Sequence, residues 1–326
     1  MKVQLHPKAP PLFKHSSSKF IAMFYGQRRN TLGLRGAVCS DEAEASRIGR
    51  DVLAAGGTAA DAAVALAATL NVLLPSACGI GGNAWVMYYE AKTGSVHCLQ
   101  GAGKTAAKFT EENIKQAGAS MTDPFHPVWR FGGGKLSLSD LFRPAIQLAR
   151  NGFPVSETSA YLWRTMQSSL RLTGRSMPPE MLHPTTAQVP KAGQIMRLPD
   201  LADTYELIGQ RGRSAFYDGR IAREIVSILS ENGGFLTLED LASCQNHAQF
   251  VRPLSVPYFS RKLDRAVRVW TTPPPSQAFV TLESLKIVEQ LLHENETLLH
   301  DDVTGCHYVL EALKGKGYPG IFAMKM

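Results

Sequence analysis

The pattern of apolar and polar positions predicts a chain in which helices alternate with short strands. Small apolar residues, mostly alanine, follow Thr58, and Pro75 ends this helical pattern. A small-residue surface of this kind favours a helix packed tightly against a sheet. The next run, 84–89, is aromatic and β-branched and predicts a strand. A Thr93-Gly94 turn then leads into a second strand over 95–99.

Further elements follow the same alternation. Residues 139–151 and 219–232 show helical spacing, and glycine or proline ends each of them. Ser276 is positioned to cap a helix that extends to about His293. The stretch 251–259 is extended, but two prolines interrupt it, which favours the edge of a sheet. The pattern therefore predicts a mixed α/β protein.

Two helix starts carry a local capping signal. Thr58 is followed three residues later by Asp61, and Thr237 by Asp240 in the same way. In a capping box, each side chain binds the backbone N–H of the other residue, which satisfies two donors that the first turn leaves free. We therefore expect helices to begin at these two positions.

A glycine-rich loop follows the alanine helix and matches the letters of a dinucleotide-binding motif, G-x-G-x-x-A, over 79–84. That motif has to follow a strand and open a helix, so that the pyrophosphate meets the helix N-terminus. Here the helix precedes the loop and the strand follows it. No G-x-x-x-x-G-K-[ST] loop for phosphate occurs either. The order of elements argues against a nucleotide cofactor.

The composition argues against several classes of partner, namely nucleic acids, metals and other cofactors. The chain has 326 residues and a formal net charge of +7, with scattered basic residues and no accompanying aromatic ladder, so we expect no nucleic-acid partner. Its five cysteines and nine histidines lack metal-ligand spacing, so we expect no metal and no other cofactor. The odd cysteine count favours a reducing compartment or simply buried thiols. The apolar run 20–25 is too short to span a membrane, and localisation stays open.

Several segments together, in this order, resemble the large subunit of the γ-glutamyltranspeptidase family. The resemblance rests on the opening segment 35–40, the alanine helix and glycine loop, and a series of later segments: Leu141–Ile146, Gly152–Ser156, Leu198–Ala202, Ala215–Gly219, Gly233–Leu241, Pro273–Gln277 and Glu311–Lys314. It predicts three regions. Residues 1–30 form an extension that we expect to be disordered, 31–314 form the large-subunit-like region, and 315–326 form a tail unlike the family.

The resemblance implies the fold of an N-terminal-nucleophile hydrolase, an αββα four-layer sandwich that would be incomplete in this chain. It also implies a hydrolase or transferase that cleaves γ-glutamyl amides such as glutathione. In such enzymes the nucleophile is a threonine freed at a new N-terminus, whose own α-amine serves as the base. Family members carry that threonine, and the glycines that bind the oxyanion, on a small subunit. A complementing small subunit is thus an expected partner.

No residue of this sequence is an expected nucleophile. The only threonine pairs, Thr185-Thr186 and Thr271-Thr272, lack the strand-and-glycine pattern of a small subunit, and we interpret both as turn residues. No G-x-S-x-G elbow offers a substitute. Two hypotheses remain: an enzyme of the family represented by its large-subunit portion, or a catalytically inactive product, truncated or a pseudoenzyme, that acts through partner binding.

One substrate-binding residue is implied by the resemblance. Family members place an arginine after the strand hairpin to bind the α-carboxylate of the γ-glutamyl donor. The segment 99–107 resembles that context, with Lys104 at the position of the arginine. Lysine keeps the positive charge but loses the two-pronged guanidinium geometry. A solvated loop lysine is the alternative interpretation.

Overall fold

Helices form most of the structure. The computed structural model describes residues 33–103, 106–108, 136–172, 174–245, 248–260, 264–294 and 302–317. The expected extension 1–30 lies outside these residues, as do Lys104 and most of the expected tail 315–326. Among the described residues the longer helices are α1 (Ala43–Ala54), α2 (Ala59–Leu73), α3 (Leu138–Asn151), α4 (Glu157–Leu172), α5 (Pro199–Arg211), α7 (Arg220–Glu231), α9 (Phe279–Glu294) and α10 (Asp302–Gly317).

Short elements connect these helices. They are the single-turn helix α6 (Ser214–Tyr217), the helix α8 (Leu238–Cys244) and a 3₁₀ turn at Pro179–Met181. The capping boxes predicted for Thr58–Asp61 and Thr237–Asp240 are both confirmed, and they begin α2 and α8. A third box, Ser137–Asp140, begins α3.

The described strands are all antiparallel and form three small sheets. The first has the order β1 (Ala84–Glu90), β2 (Ser95–Gly101) and β5 (Gln249–Val251), and the second pairs β6 (Leu254–Ser260) with β7 (Arg265–Thr271). A two-residue pair joins β3 (Phe153–Pro154) to β4 (Ile195–Met196). The predicted hairpin is confirmed, since Ala84 lies opposite Gly101 and Glu90 opposite Ser95.

The main core lies between the helices. Trp163 of α4 and Tyr205 of α5 are almost completely buried, together with Phe153 and Met196 of the short strand pair. The ring of Tyr205 packs against that of Phe142 of α3 at a tilt of 58°, with the ring centroids 4.8 Å apart, and the Tyr205 hydroxyl accepts a hydrogen bond of 2.8 Å from Asn71 Nδ2 of α2. This contact ties α2 to α5 and gives the buried phenol a polar partner.

Two expectations about local structure are wrong. The alanine-rich α2 packs mainly against the helices α1 and α3 rather than against a sheet, because its small side chains allow those helices a close approach. In the second threonine pair, Thr271 lies in β7 opposite Leu254 and is not a turn residue. Thr185 and Thr186 do lie in a turn. Pro257 lies within β6, a strand of a two-stranded sheet, as the edge prediction required.

Candidate functional site

The glycine loop connects the end of α2 to the start of β1. Leu74, just after the helix, accepts backbone hydrogen bonds from Ala77 at 2.9 Å and Cys78 at 3.1 Å. A tight turn follows, in which the Gly82 N–H donates to the Gly79 carbonyl at 3.0 Å. These bonds turn the chain sharply, so that it enters β1 directly after leaving α2.

The loop ends at Asn83, which reaches across to the far end of the hairpin. Asn83 Oδ1 accepts a hydrogen bond of 3.0 Å from the backbone N–H of Gly103. The next residue, Ala84, lies opposite Gly101 in the β1–β2 ladder. The glycine loop and the chain that leaves β2 are therefore held side by side.

The chain leaving β2 is attached a second time a few residues later. Ala102 and Ala106 are buried, at 8% and 5% exposure. The N–H of Ala107 donates to Asp240 Oδ1 at 3.0 Å, although the two residues are 133 positions apart. Lys104, the predicted substrate residue, falls between these attachments but lies outside the described residues.

The two carboxylate oxygens of Asp240 accept hydrogen bonds from different parts of the chain. Its Oδ2 accepts from the Thr237 N–H at 3.0 Å and from Thr237 Oγ1 at 2.9 Å, which closes the capping box of α8, while Oδ1 holds Ala107. Burial alone raises the pKa of Asp240. The hydrogen bonds from Ala107 and Thr237, with the charge of Lys108, outweigh burial, and the pKa lies below its ordinary value. The Asp240 carboxylate is thus ionised at neutral pH and acts as a hydrogen-bond acceptor for Ala107 and Thr237.

The cysteine beside the glycine loop is not poised for nucleophilic chemistry. Burial, with a smaller contribution from the Asp41 carboxylate, raises the pKa of the Cys78 thiol to about 11. A thiol with such a pKa stays protonated at neutral pH, and the protonated form is a poor nucleophile. Cys78 is a free thiol of intermediate burial, and we interpret it as a small packed residue. In the described part of the chain, no three His, Cys, Asp or Glu side chains group as metal ligands.

Apolar side chains lie uncovered beside the hairpin. Val86, Met87, Tyr88 and Tyr89 are consecutive in β1, so they point alternately to both faces of the sheet, yet each is more than a third exposed. With Trp270 of β7, three of these side chains line an open cavity of about 370 Å³. Within the described residues, none of the helices is long and apolar enough to cross a bilayer.

A comparison with protein families matches residues 45–316 to γ-glutamyltranspeptidase. The chain belongs to the γ-glutamyltranspeptidase family. Among curated relatives, it is 30% identical over 299 residues to a glutathione hydrolase-like proenzyme (YwrD) of Bacillus subtilis, covering 88% of this chain and 54% of the relative. It is 31% identical to glutathione hydrolase 2 of Arabidopsis thaliana, and that alignment covers 88% of this chain and 49% of the relative. The chain thus spans about half the length of these relatives.

Solved structures agree with this assignment. The chain superimposes on γ-glutamyltranspeptidase of Helicobacter pylori with a TM-score of 0.73 at 27% identity, covering 88% of this chain and 83% of the other. It also superimposes on cephalosporin acylase of Bacillus halodurans with a TM-score of 0.76 at 30% identity. This superposition covers 96% of this chain and 56% of the acylase chain. The predicted fold class, an α/β chain of the N-terminal-nucleophile hydrolase type, is confirmed.

Sequence reasoning missed the two attachments around the predicted substrate segment. The sequence indicates a capping box at Thr237–Asp240 and a glycine loop over 79–84, which includes Asn83. Neither pattern carries a signal for a second partner 133 or 20 residues away. Only the three-dimensional arrangement brings Asn83 and Asp240 to the two sides of one short segment.

Proposed function

We propose that this chain is the large-subunit portion of a γ-glutamyltranspeptidase-like enzyme, a hydrolase or transferase that cleaves γ-glutamyl amides such as glutathione. The observation that carries the proposal is the family match over residues 45–316, which runs through the glycine loop and the segment attached to Asn83 and Asp240. Relatives named glutathione hydrolases support the substrate class.

The nucleophile of this reaction comes from a complementing small subunit or region. A terminal threonine is needed because its own α-amine acts as the base. The threonine pairs of this chain, Thr185-Thr186 and Thr271-Thr272, lack the strand-and-glycine pattern of a small subunit, which supports a nucleophile supplied from elsewhere. The names of several relatives include the word proenzyme, which supports a reaction that needs a second part.

The role of Lys104 in this reaction is to bind the α-carboxylate of the donor. Its support is the resemblance of the segment 99–107 and the two hydrogen bonds that attach this segment at Gly103 and Ala107. A single ammonium group binds a carboxylate as a point charge, without the paired hydrogen bonds of a guanidinium. Lys104→Arg therefore preserves or improves substrate binding, while Lys104→Ala weakens it by about 1.5–3 kcal/mol.

The uncovered apolar surface of β1 and β7 is where the complementing part docks. Sheets that carry apolar side chains on both faces are normally covered on both, and an open strand edge accepts a further strand. In the described sheet β1 is an edge strand, and Met87, Tyr88 and Tyr89 stay exposed beside Trp270. Strands and side chains from the small subunit would complete this surface.

A second candidate is an acylase reaction, the hydrolysis of an amide other than a γ-glutamyl amide. It is favoured by the structural similarity to cephalosporin acylase, which is as high as the similarity to the transpeptidases. Two p-nitroanilides separate the candidates. The γ-glutamyl and glutaryl compounds both carry the distal carboxylate, but only the first has the α-amine. A preference for the glutaryl compound would favour the acylase reaction.

The experiment is co-expression of this chain with the region of the Bacillus subtilis relative that it does not cover. The purified complex should release p-nitroaniline from γ-glutamyl-p-nitroanilide, whereas this chain alone should release none. Measurable turnover by the isolated chain would contradict the proposal, because it would require a nucleophile within these 326 residues. A stable complex without turnover on any of these anilides would favour the inactive alternative.

A further inference from the structure

We propose that Lys286 and Glu289 of α9 close the outer edge of β6, so that strand pairing by the complementing part takes place at the other edge of this hairpin, along β7. The docking element is an extended segment that brings a carboxylate to Arg268. This inference rests on the proposed function, because the partner is the complementing part assigned there. It adds which edge of the β6–β7 sheet is closed, which is open, and what charge the partner carries.

The ladder between β6 and β7 determines which backbone groups point outward. In an antiparallel pair, residues that exchange hydrogen bonds with the neighbouring strand alternate with residues whose N–H and C=O point away from it. Pro257 has no N–H to donate, and the Phe259 N–H donates to a side chain of α9 instead of to β7. Positions 257 and 259 therefore point outward. Their ladder partners Arg268 and Ala266 are, by the same alternation, outward positions of β7.

Two side chains of α9 close the outer edge of β6. Glu289 Oε1 accepts a hydrogen bond of 2.6 Å from the Phe259 N–H, and Lys286 Nζ donates to the Pro257 carbonyl at 3.3 Å. Lys286 also donates to the second oxygen of Glu289, which holds the two side chains together. The hydrogen bonds from Lys286 and Phe259 lower the pKa of Glu289, which is therefore ionised at neutral pH. A strand that paired with β6 would have to break these contacts, and charged side chains commonly protect sheet edges in this way.

The outer edge of β7 has no such cover in the described part of the chain. There β7 pairs with β6 alone, and the backbone groups of Ala266 and Arg268 form no hydrogen bond with another element. The side chains of Ala266, Arg268 and Trp270 are exposed and share one face of the hairpin, because residues two apart in a strand point the same way. Trp270 also lines the cavity beside β1. The open edge is thus continuous with the surface assigned to docking.

Arg268 determines the charge that the partner has to bring. Its guanidinium carbon lies 5.9 Å from the centre of the Trp270 ring, and its Nη1 donates to Ser255 Oγ at 3.1 Å. Neither neighbour carries a negative charge, and no carboxylate of the described residues forms an ion pair with Arg268. A strand added along β7 places its side chains beside Arg268 and removes water from it. Because an unpaired buried charge is strongly destabilising, the added strand needs a carboxylate at this position.

The competing explanation is that Lys286 and Glu289 form an ordinary ion pair on the helix surface. Such i,i+3 pairs stabilise a helix slightly and have no effect on a neighbouring strand. Glu283 provides a matched control, since it is an exposed carboxylate on the same helix and has no hydrogen bond to β6 among the described residues. If Glu289 serves α9 alone, alanine at either position should leave β6 unchanged.

The first experiment measures amide hydrogen exchange in the isolated chain. Glu289→Ala should accelerate exchange at the Phe259 amide by about tenfold, because this amide loses its acceptor. Glu289→Gln keeps an acceptor oxygen and should retain most of the protection. Glu283→Ala removes the same charge from the same helix and should leave exchange at Phe259 unaltered. Unaltered exchange in Glu289→Ala would overturn the closed edge.

The double variant Lys286→Ala/Glu289→Ala tests what the closed edge prevents. It keeps the net charge of the chain but frees the outward groups of β6, so other copies can pair with them. The variant should therefore self-associate at an about threefold lower concentration than the wild type, as measured by light scattering. Alanine favours the helix at both exposed positions, so α9 should be retained. Self-association equal to that of the wild type would contradict the protective role.

The second experiment compares amide exchange in the chain alone and in its complex with the Bacillus subtilis region. The outward amides of Ala266 and Arg268 should exchange about tenfold more slowly in the complex, because an added strand accepts their hydrogen bonds. The Phe259 amide already has Glu289 as its acceptor and should not change. New protection at Phe259 alone, or none at Ala266 and Arg268, would overturn the assignment of the docking edge.

Charge reversal tests the predicted carboxylate. Arg268→Glu should raise the Kd of the complex by about tenfold or more, whereas Arg268→Lys, which keeps the charge, should raise it less. Arg265→Glu makes the same change in net charge at an exposed position on the opposite face of β7 and should have little effect. Equal losses at the two positions would show that net charge governs assembly, and would overturn the role of Arg268.

These measurements report assembly instead of turnover, so the two proposals can fail separately. A complex that protects Ala266 and Arg268 but does not cleave γ-glutamyl-p-nitroanilide would contradict the proposed function alone. An active complex in which both amides stay unprotected would overturn the β7 assignment alone. If the wild-type chain does not bind the Bacillus subtilis region, the β7 assignment fails, and exchange at Phe259 still decides whether Glu289 closes the edge of β6.

Discussion

Asp240 accepts a hydrogen bond of 3.0 Å from the backbone N–H of Ala107, which lies 133 residues earlier in the chain. The same carboxylate closes the capping box of α8 with Thr237. One side chain therefore joins the start of a helix to the segment that follows the hairpin. This shared use makes α8 part of the framework around the candidate site, although the helix contributes no predicted catalytic group.

The first prediction concerns acid stability. The pKa of Asp240 is lowered in the folded chain, so this group stabilises the fold above its unfolded pKa of about 3.9, and the contribution is lost as the pH falls through the lower folded value. Asp240→Ala should reduce the free energy of unfolding at pH 7 by about 1.5–3 kcal/mol, because the Thr237 and Ala107 donors lose their hydrogen bonds to a charged group.

This difference should shrink as the pH falls from 4 towards the lower folded pKa, because the wild-type carboxylate is then protonated as well. Urea unfolding of both proteins at several pH values provides the measurement. A difference that stays constant down to the most acidic pH at which the fold survives would argue against a lowered pKa.

The second prediction concerns two glycines that end helices. Gly152 follows α3 with φ of +106°, and Gly212 follows α5 with φ of +68°. Both conformations disfavour L side chains. A Cβ at Gly152 would also lie 2.7 Å from Ile195 Cγ2, whereas one at Gly212 would meet no atom within 4 Å. Of these two positions, only Gly152 combines a strained backbone with a steric clash.

Gly212→Ala should therefore destabilise the chain by about 1–3 kcal/mol through strain alone. Gly152→Ala should cost about 1–3 kcal/mol more, because Ile195 and the short strand pair have to move. Thermal unfolding of the two variants tests this order. Equal losses would mean that β4 yields to the added methyl group without cost.

Local patterns in the sequence predict the elements well and their contacts poorly. The capping boxes and the β1–β2 hairpin depend on residues three to seventeen positions apart, and these predictions hold. The hydrogen bond between Asn71 and Tyr205 joins residues 134 positions apart, and no local pattern indicates it. The resemblance to the family supplied the candidate substrate segment, but not the side chains that hold it.

The packing of α2 illustrates the same limit. Its alanines correctly indicate close packing, because small side chains permit a near approach of backbones. They do not specify the partner, since a helix and a sheet both accept such a surface. The structure places α1 and α3 there.

A third prediction concerns the uncovered apolar surface. We expect the isolated chain to self-associate, because exposed apolar side chains and open strand edges bind other copies when the proper partner is missing. Tyr89→Lys, at a position 63% exposed in β1, should reduce self-association and also weaken assembly with the complementing region. Light scattering and co-purification yields report the two effects.

Leu172→Lys is the matched control for this prediction. Leu172, at the end of α4, is 89% exposed and is not among the residues that line the cavity of β1 and β7. The substitution adds the same charge and should alter neither self-association nor assembly. If both lysines act alike, net charge rather than the β1 surface governs association. A soluble wild-type monomer that unfolds cooperatively would also contradict the prediction.

Under the proposed function, this chain binds the γ-glutamyl donor and a complementing part supplies the nucleophile. The most direct measurement is intact-protein mass spectrometry of the co-expressed complex after treatment with a γ-glutamyl analogue that carries an electrophilic γ-carbonyl. The analogue's mass should be added to the complementing part, and this chain should stay unlabelled. Lys104→Ala should slow labelling by about tenfold or more. A covalent adduct on this chain itself would show that the nucleophile lies in this chain and would overturn the proposed function.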